Sequence, residues 1–334
     1  MTDLGTTVAR IPPASEEHRQ RTQARLDFKT KPRGSLGRLE ELACSIAAIQ
    51  QTDSPRIGQP VIVVVAADHG VAAEGISAYP QEVTVQMLHN FVSGGAAINV
   101  LARCASARLI VVDAGVSADY ANPAVLDRRI GPGTANAALG PAMSTEQART
   151  GLGHGIELAN MLAHEDAGVI GLGDMGIGNT TASSALVAAF LGLQPQEVTG
   201  RGTGLDDAGV ARKAEVLGRM LAANNPDAAR PLDTLAALGG FEHAVLAGII
   251  LGAAANRTPV ILDGVIVSAA ALVAARIAPA SADAMIASHY LRSRRTAGFC
   301  SRWGFGHISI SACGWGRGPA PPSACSWCGR PCPC

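Results

Sequence analysis

Four short segments, Val61–Val65, Leu109–Val112, Gly168–Gly171 and Val260–Leu262, are apolar at nearly every position. A strand with one face in water alternates apolar and polar side chains. Segments without that alternation must be covered on both faces, as in a parallel sheet flanked by helices. Between them run stretches with helical patterning, over residues 82–103, 144–163, 180–193 and 208–223, and a charge-free apolar run over 244–256 that reads as a buried helix. The second of these stretches begins Ser144-Thr-Glu-Gln147, in which the serine and the glutamine can cap each other's backbone amides. Strand and helix alternate, which predicts an α/β chain with a doubly wound, mainly parallel sheet and helices on both faces. Ahead of the first strand, residues 15–51 lean helical but are interrupted by Lys31-Pro-Arg-Gly-Ser-Leu-Gly37. A helix is expected to restart at Ser35 or Leu36, with Leu36, Leu39, Leu42, Ala43 and Ile46 on one face.

With 334 residues the chain can bury a large core. Its 27 basic and 27 acidic groups cancel, so no overall basic field exists to hold nucleic acid or an anionic membrane. The run over 244–256 is shorter than the roughly 18 residues that a membrane span requires. The N-terminus has no apolar export core, which gives a cytoplasmic address.

These averages conceal a break. Only Cys44 and Cys104 precede residue 300; the other six cysteines and all three tryptophans follow it. No acid occurs after Asp283, while six arginines do. A zinc site would need a second ligand pair better spaced than Cys332 and Cys334 to complement Cys325-Ser-Trp-Cys328. A disulfide module conflicts with a cytoplasmic address. The abrupt excess of Arg, Gly, Pro, Cys and Trp reads instead as translation in a shifted frame from about residue 290. The expected division is then an N-terminal helical part over 1–55, a large α/β domain over 56–289, and an aberrant, disordered tail over 290–334.

An acid follows each of the four strands: Asp68, Asp113, Asp174 and Asp263. Any one of them could simply cap a turn. Four together outline a polar cleft at the carboxyl ends of the strands, where open parallel sheets bind ligands. The strongest local signal is Gly171-Leu-Gly-Asp-Met-Gly-Ile-Gly-Asn-Thr-Thr181, between a strand and a helix. Its glycines let backbone approach an anion, and amides near Asn179 and Thr180 can hold a phosphate. A second loop, Gly200-Arg-Gly-Thr-Gly204, precedes a helix carrying Lys213. Neither loop has Walker or dinucleotide spacing, and the pair suits a single phosphate. A helix lysine is ordinarily solvated, and that reading of Lys213 stands beside the phosphate one. The turn-rich stretch from Asp68 to Pro80 leads into a helix with Met87 and Leu88, which either form a slot for a planar ring with Tyr79 or belong to the core. His69 and His289 have no partners at metal-ligand spacing and read as hydrogen-bonding residues.

Six segments, Ala67–Thr84, Gly94–Leu101, Gly171–Thr181, Gly202–Asp207 with Lys213, Gly239–Ala254 and Ile261–Gly264, together resemble the nicotinate-nucleotide:dimethylbenzimidazole phosphoribosyltransferase family over residues 15–289. The resemblance implies a doubly wound large domain, a small helical domain built from both chain ends, and a homodimer. It also implies transfer of ribose 5-phosphate from nicotinate mononucleotide to 5,6-dimethylbenzimidazole, with no metal or other cofactor required. By the same resemblance Gly176, Gly178, Asn179, Thr180, Thr181, Gly202, Thr203, Gly204 and Lys213 surround the phosphate, and Asp174 stands beside ribose and phosphate. Tyr79, Pro80, Gln86 and Met87 line the benzimidazole pocket, and Asp263, Ser288 and His289 join the substrate site.

The match stops at Tyr290. The family carries its general base, a glutamate, in a later Gly-Glu-Gly-Ser-Gly segment, and here no acid follows Asp283. Asp174 is a weak substitute, so this chain is expected to be impaired. Two other readings compete with the transferase. One is a non-catalytic module that holds a phosphorylated nucleoside or azole base. The other is a dehydrogenase, which fails because no Gly-x-Gly-x-x-Gly follows Val61–Val65.

Overall fold

The computed structural model describes residues 3–202 and 204–288. The expectations placed on residues 290–334 lie outside the described residues. Six strands form one sheet: β1 (Gln59–Ala67), β2 (Arg108–Gly115), β3 (Val125–Asp127), β4 (Ala167–Met175), β5 (Val260–Leu262) and β6 (Met285–Ala287). Their order is β3-β2-β1-β4-β5-β6 and every pairing is parallel. The chain runs outward from β1 on one side and from β4 on the other, so the topological switch lies between those two strands.

Both faces of the sheet are covered, which is why the strands lack polar alternation. Val61, Val63, Val65 and Ala67 of β1 belong to the larger apolar core. That core is built with α6 (Thr145–His164), α7 (Asn179–Leu191), α11 (Phe241–Ala255) and α12 (Val265–Ile277). The alternate residues Val64 and Ala66 enter a second core with Leu88 and Phe91 of α4 (Val83–Val92) and with Val111 of β2. The expected α/β, doubly wound class is therefore present.

Three details differ from the sequence expectations. The stretch 82–103 is two helices, α4 and α5 (Ala97–Cys104), because Gly94 adopts a left-handed φ of 78° that no continuous helix accepts. The third helix, α3 (Arg38–Gln50), starts at Arg38 rather than Ser35 or Leu36, and Leu36 and Leu39 are 48% and 56% exposed. Among the described residues the apolar contacts of that helix with the rest of the core come from its later turns: Ile46 and Ile49 meet Ala254 and Ile286. The short strands β3 and β6 carry no sequence signal of their own, since three residues cannot display a period.

The closest helix pair in the core is α6 against α11. A Cβ on Gly155 would run into the carbonyl of Val245, and one on Gly248 into that of Leu152. Glycine at these two sites lets the backbones touch and brings the start of α11 up to the sheet. Gly248→Ala is expected to lower stability by about 1–3 kcal/mol through overpacking. Urea denaturation of the full chain measures this, and an unchanged midpoint would contradict the packing described.

Candidate active site

At the switch point, the segment after β1 faces the segment after β4. Ala67 and His69 lie so close to Gly176 that a Cβ there would strike the Ala67 carbonyl. Gly178 has φ 99° and directs the chain into α7, whose first turn carries Asn179, Thr180 and Thr181. The Thr84 hydroxyl accepts from Ile177 N at 3.2 Å and so ties the start of α4 to the same loop.

Lys213, on α9 (Asp207–Asn224), is 1% exposed rather than solvated. Its ammonium donates to Thr180 Oγ1 at 2.7 Å, and a Cβ on Gly202 would stand 3.3 Å from Nζ. No carboxylate among the described residues lies within ion-pair distance of it. Burial pushes its pKa down to about 8. Beside Thr180, in the first turn of α7, the Thr181 hydroxyl is fully buried and without a hydrogen-bond partner among the described residues. Two glycine-lined turns, a buried cation and spare donors make a site for one compact anion.

The four acids part company. Asp113 Oδ1 accepts from the backbone amides of Gly115 and Val116, each at 2.8 Å, and closes the turn after β2. Asp68 Oδ2 accepts from the amide and hydroxyl of Ser117, both at 2.8 Å. These two therefore hold loops. Asp174, partly buried at the end of β4, accepts from Asn179 Nδ2 at 2.8 Å. Its pKa is pushed up to about 7 by burial first, then by the carboxylates of Glu242 and Asp263. Asp263 follows β5, and the Ser288 amide donates to Leu262 O at 3.1 Å, which sets Ser288 beside it. Thr203 and His289 lie outside the described residues. Tyr79, Pro80 and Gln86 are exposed on the rim that leads into α4, and Met87 is half-buried in the core shared with Met175.

Glu242 and His243, at the start of α11, had no assigned role in the sequence reading and are fully buried. His69 Nε2 lies 2.7 Å from Glu242 Oε1, and His243 Nδ1 lies 2.8 Å from the same oxygen. Burial opposes charge on both partners. The Glu242 anion nevertheless raises the His69 pKa, and the two imidazoles hold Glu242 well below the usual carboxylate range. These three residues present donor atoms within 4.8 Å of one another. Two ligands of a tetrahedral zinc with bonds of about 2.05 Å stand about 3.3 Å apart. Contacts of 2.7 and 2.8 Å are hydrogen-bonding distances, so the cluster fits a charge pair better than an ion. The signal for Glu242 is an acid and a histidine in the first turn of an otherwise uncharged apolar helix. A cavity of about 740 Å³ opens at the opposite ends of the strands, between Arg56, Gly168 and Arg257, and contains none of these groups.

A doubly wound sheet with a polar, glycine-lined cleft at its switch point places the chain in the class of α/β proteins that bind ligands at the carboxyl ends of their strands. The family model described as Phosphoribosyltransferase matches residues 11–298, and the chain belongs to that family of pentosyltransferases. It is 52% identical over 290 residues to the nicotinate-nucleotide–dimethylbenzimidazole phosphoribosyltransferase of Roseiflexus sp. (strain RS-1), covering 86% of this chain and 82% of the relative. It is 48% identical over 290 residues to the protein of the same name from Geobacter metallireducens, with the same coverage. The crystal structure of CobT from Thermus thermophilus superposes with a TM-score of 0.82 at 44% identity, covering 88% of each chain.

An uncompensated buried ammonium costs stability wherever it stays protonated. Below about pH 8 that cost is present in full. It fades as pH rises from about 8 toward 10.5, where the folded chain has released a proton that the unfolded chain keeps. Lys213→Met is therefore expected to stabilise the ligand-free protein by about 3 kcal/mol at pH 7 and to abolish binding of inorganic phosphate. Chemical denaturation and calorimetric titration read the two effects; phosphate affinity unchanged by the substitution would remove Lys213 from the site.

Proposed function

We propose that this chain transfers ribose 5-phosphate from nicotinate mononucleotide to 5,6-dimethylbenzimidazole, giving α-ribazole 5′-phosphate and nicotinate. The observation that carries this reading is the buried Lys213 ammonium, held against Thr180 and Gly202 with no carboxylate to neutralise it among the described residues. A phosphate monoester supplies the missing charge. In this reading the phosphate lies between the first turn of α7, the Gly202–Gly204 loop and Lys213, and the ribose lies over Asp174. The acceptor ring sits on the rim formed by Tyr79, Pro80, Gln86 and Met87, and Asp263 and Ser288 wall the far side.

The acceptor nitrogen attacks C1′ in line with the departing nicotinate, with inversion, through a transition state that carries positive charge on the ribose. Carboxyl groups aimed at that ring favour the charge as it develops. The leaving nitrogen needs no acid, because it departs from a pyridinium and becomes neutral. The benzimidazole must lose its N–H proton, and residues 284–334 offer no Asp or Glu to take it. Loss of a positioned base costs about 10²–10⁴ in rate. We infer an impaired enzyme that works in the cytoplasm as a homodimer and needs no metal or other cofactor.

The test incubates the full chain with both substrates and follows α-ribazole 5′-phosphate by chromatography, with the Thermus relative as reference. Slow product formation, about 10²–10⁴ below the reference, is the expected result. Failure to bind nicotinate mononucleotide overturns the reading. Binding of both substrates with no product after long incubation points to a non-catalytic binding module.

A further inference from the structure

The segment that carries the acceptor rim is a short bridge between a helical turn at Gly70–Glu74 and the start of α4 at Val83, and it is pinned at both ends. Tyr79 and Pro80 are exposed at its middle. At the near end both carboxylate oxygens of Glu74 are occupied. Oε1 accepts from Asn136 Nδ2 at 2.7 Å, and Oε2 accepts from Arg219 Nη2 at 2.5 Å. Arg219 stands on α9, the helix that carries Lys213. Gly75 then turns the chain with a φ of 67°, and a Cβ there would stand 3.5 Å from Arg212 Nη1 on the same helix. The next residue, Ile76, is buried in the larger core. At the far end Thr84 is fully buried, and its hydroxyl accepts from Ile177 N at 3.2 Å, inside the glycine turn that leads into α7. The two pins thus attach the bridge to the two halves of the anion cleft, one to α9 and the other to the turn before α7.

Neither pin can reach a ligand. Glu74 spends both oxygens on protein donors, and Thr84 has no exposed surface. The Arg219 side chain is 52% exposed, so its pair with Glu74 adds little to stability. What the pair fixes is a distance. Phosphate and C1′ belong to one donor molecule, so seating the phosphate places C1′. In-line attack needs the acceptor nitrogen about 3–3.5 Å from that carbon, and a displacement of about 1 Å costs about 10² in rate. We propose that Glu74 and Thr84 are positioning residues for ribosyl transfer: they tie the rim at Tyr79, Pro80, Gln86 and Met87 to the elements that hold the phosphate, and so set the acceptor ring against the donor. The inference rests on the transferase reading of the cleft.

The test titrates the full chain calorimetrically with nicotinate mononucleotide and, separately, with 5,6-dimethylbenzimidazole. Glu74→Gln keeps the size of the side chain and removes its charge, while Thr84→Val keeps the shape and removes the acceptor for Ile177 N. Each is expected to weaken dimethylbenzimidazole binding about tenfold and to leave nicotinate mononucleotide affinity within about twofold. Thr84→Ser, which keeps the hydroxyl, restores acceptor binding. A merely structural defect would weaken both ligands together. Equal losses for the two ligands, or acceptor affinity unmoved by one of the two substitutions, overturns the proposal. Should Thr84→Val not fold, Glu74→Gln at its half-exposed pair decides alone. Amide hydrogen exchange without ligand separates the pins from the transferase reading: both substitutions are expected to speed exchange over residues 75–83 and to leave β4 unchanged. If the native chain binds neither substrate, the transferase reading falls and the exchange data still judge the pins; unchanged exchange over residues 75–83 overturns them.

Discussion

The carboxyl edge of this sheet is organised by one buried ion cluster, the Glu242 carboxylate between two imidazoles. Removing one partner of such a cluster leaves an uncompensated charge in the core, at a cost of about 3–5 kcal/mol. The cluster therefore dictates where α11 begins, how close the loop after β1 comes, and why Gly240 has no side chain. From that fixed point the hydrogen bonds run outward to Ser183 and Asn179, and so to the first turn of α7. The first turn of α7 is thus held from behind by the core as well as by the Asn179–Asp174 contact within its own loop.

Much of the architecture could be read from the chain alone because it rests on periodicity. Val61–Val65 reads as doubly covered, and its side chains do divide between two cores on the two faces. The Ser144 capping box begins α6 as expected. Local signals succeed where the cause is local. They fail where the cause is a distant partner: Lys213 has the sequence surroundings of a solvated helix lysine and is buried only because Thr180 and the Gly202 turn arrive on top of it. Leu36 and Leu39 fail in the opposite sense, since an apolar face predicts burial but cannot supply the element that provides it.

The same distinction sorts the four acids. All follow strands, and position alone cannot separate them. What divides them is the availability of backbone donors. Asp68 and Asp113 meet amides of the turn at residues 115–117 and are consumed as loop braces. Among the described residues Asp174 accepts only from the Asn179 side chain, and the Asp263 carboxylate adds charge beside it. His69 belongs with this second group, although the sequence offers it no partner at metal-ligand spacing; its partner is Glu242, 173 positions away.

Lys213 and Asp174 share a physical logic that runs against stability. One is a cation buried without a counter-ion among the described residues, the other an acid raised first by burial and then by neighbouring like charges. Each shift records free energy withheld from folding. A fold that tolerates both must draw its stability elsewhere, and the tightly packed α6 and α11 pair with the apolar α12 supplies it. The strain carried by these two buried groups is thus set against the density of the core behind them.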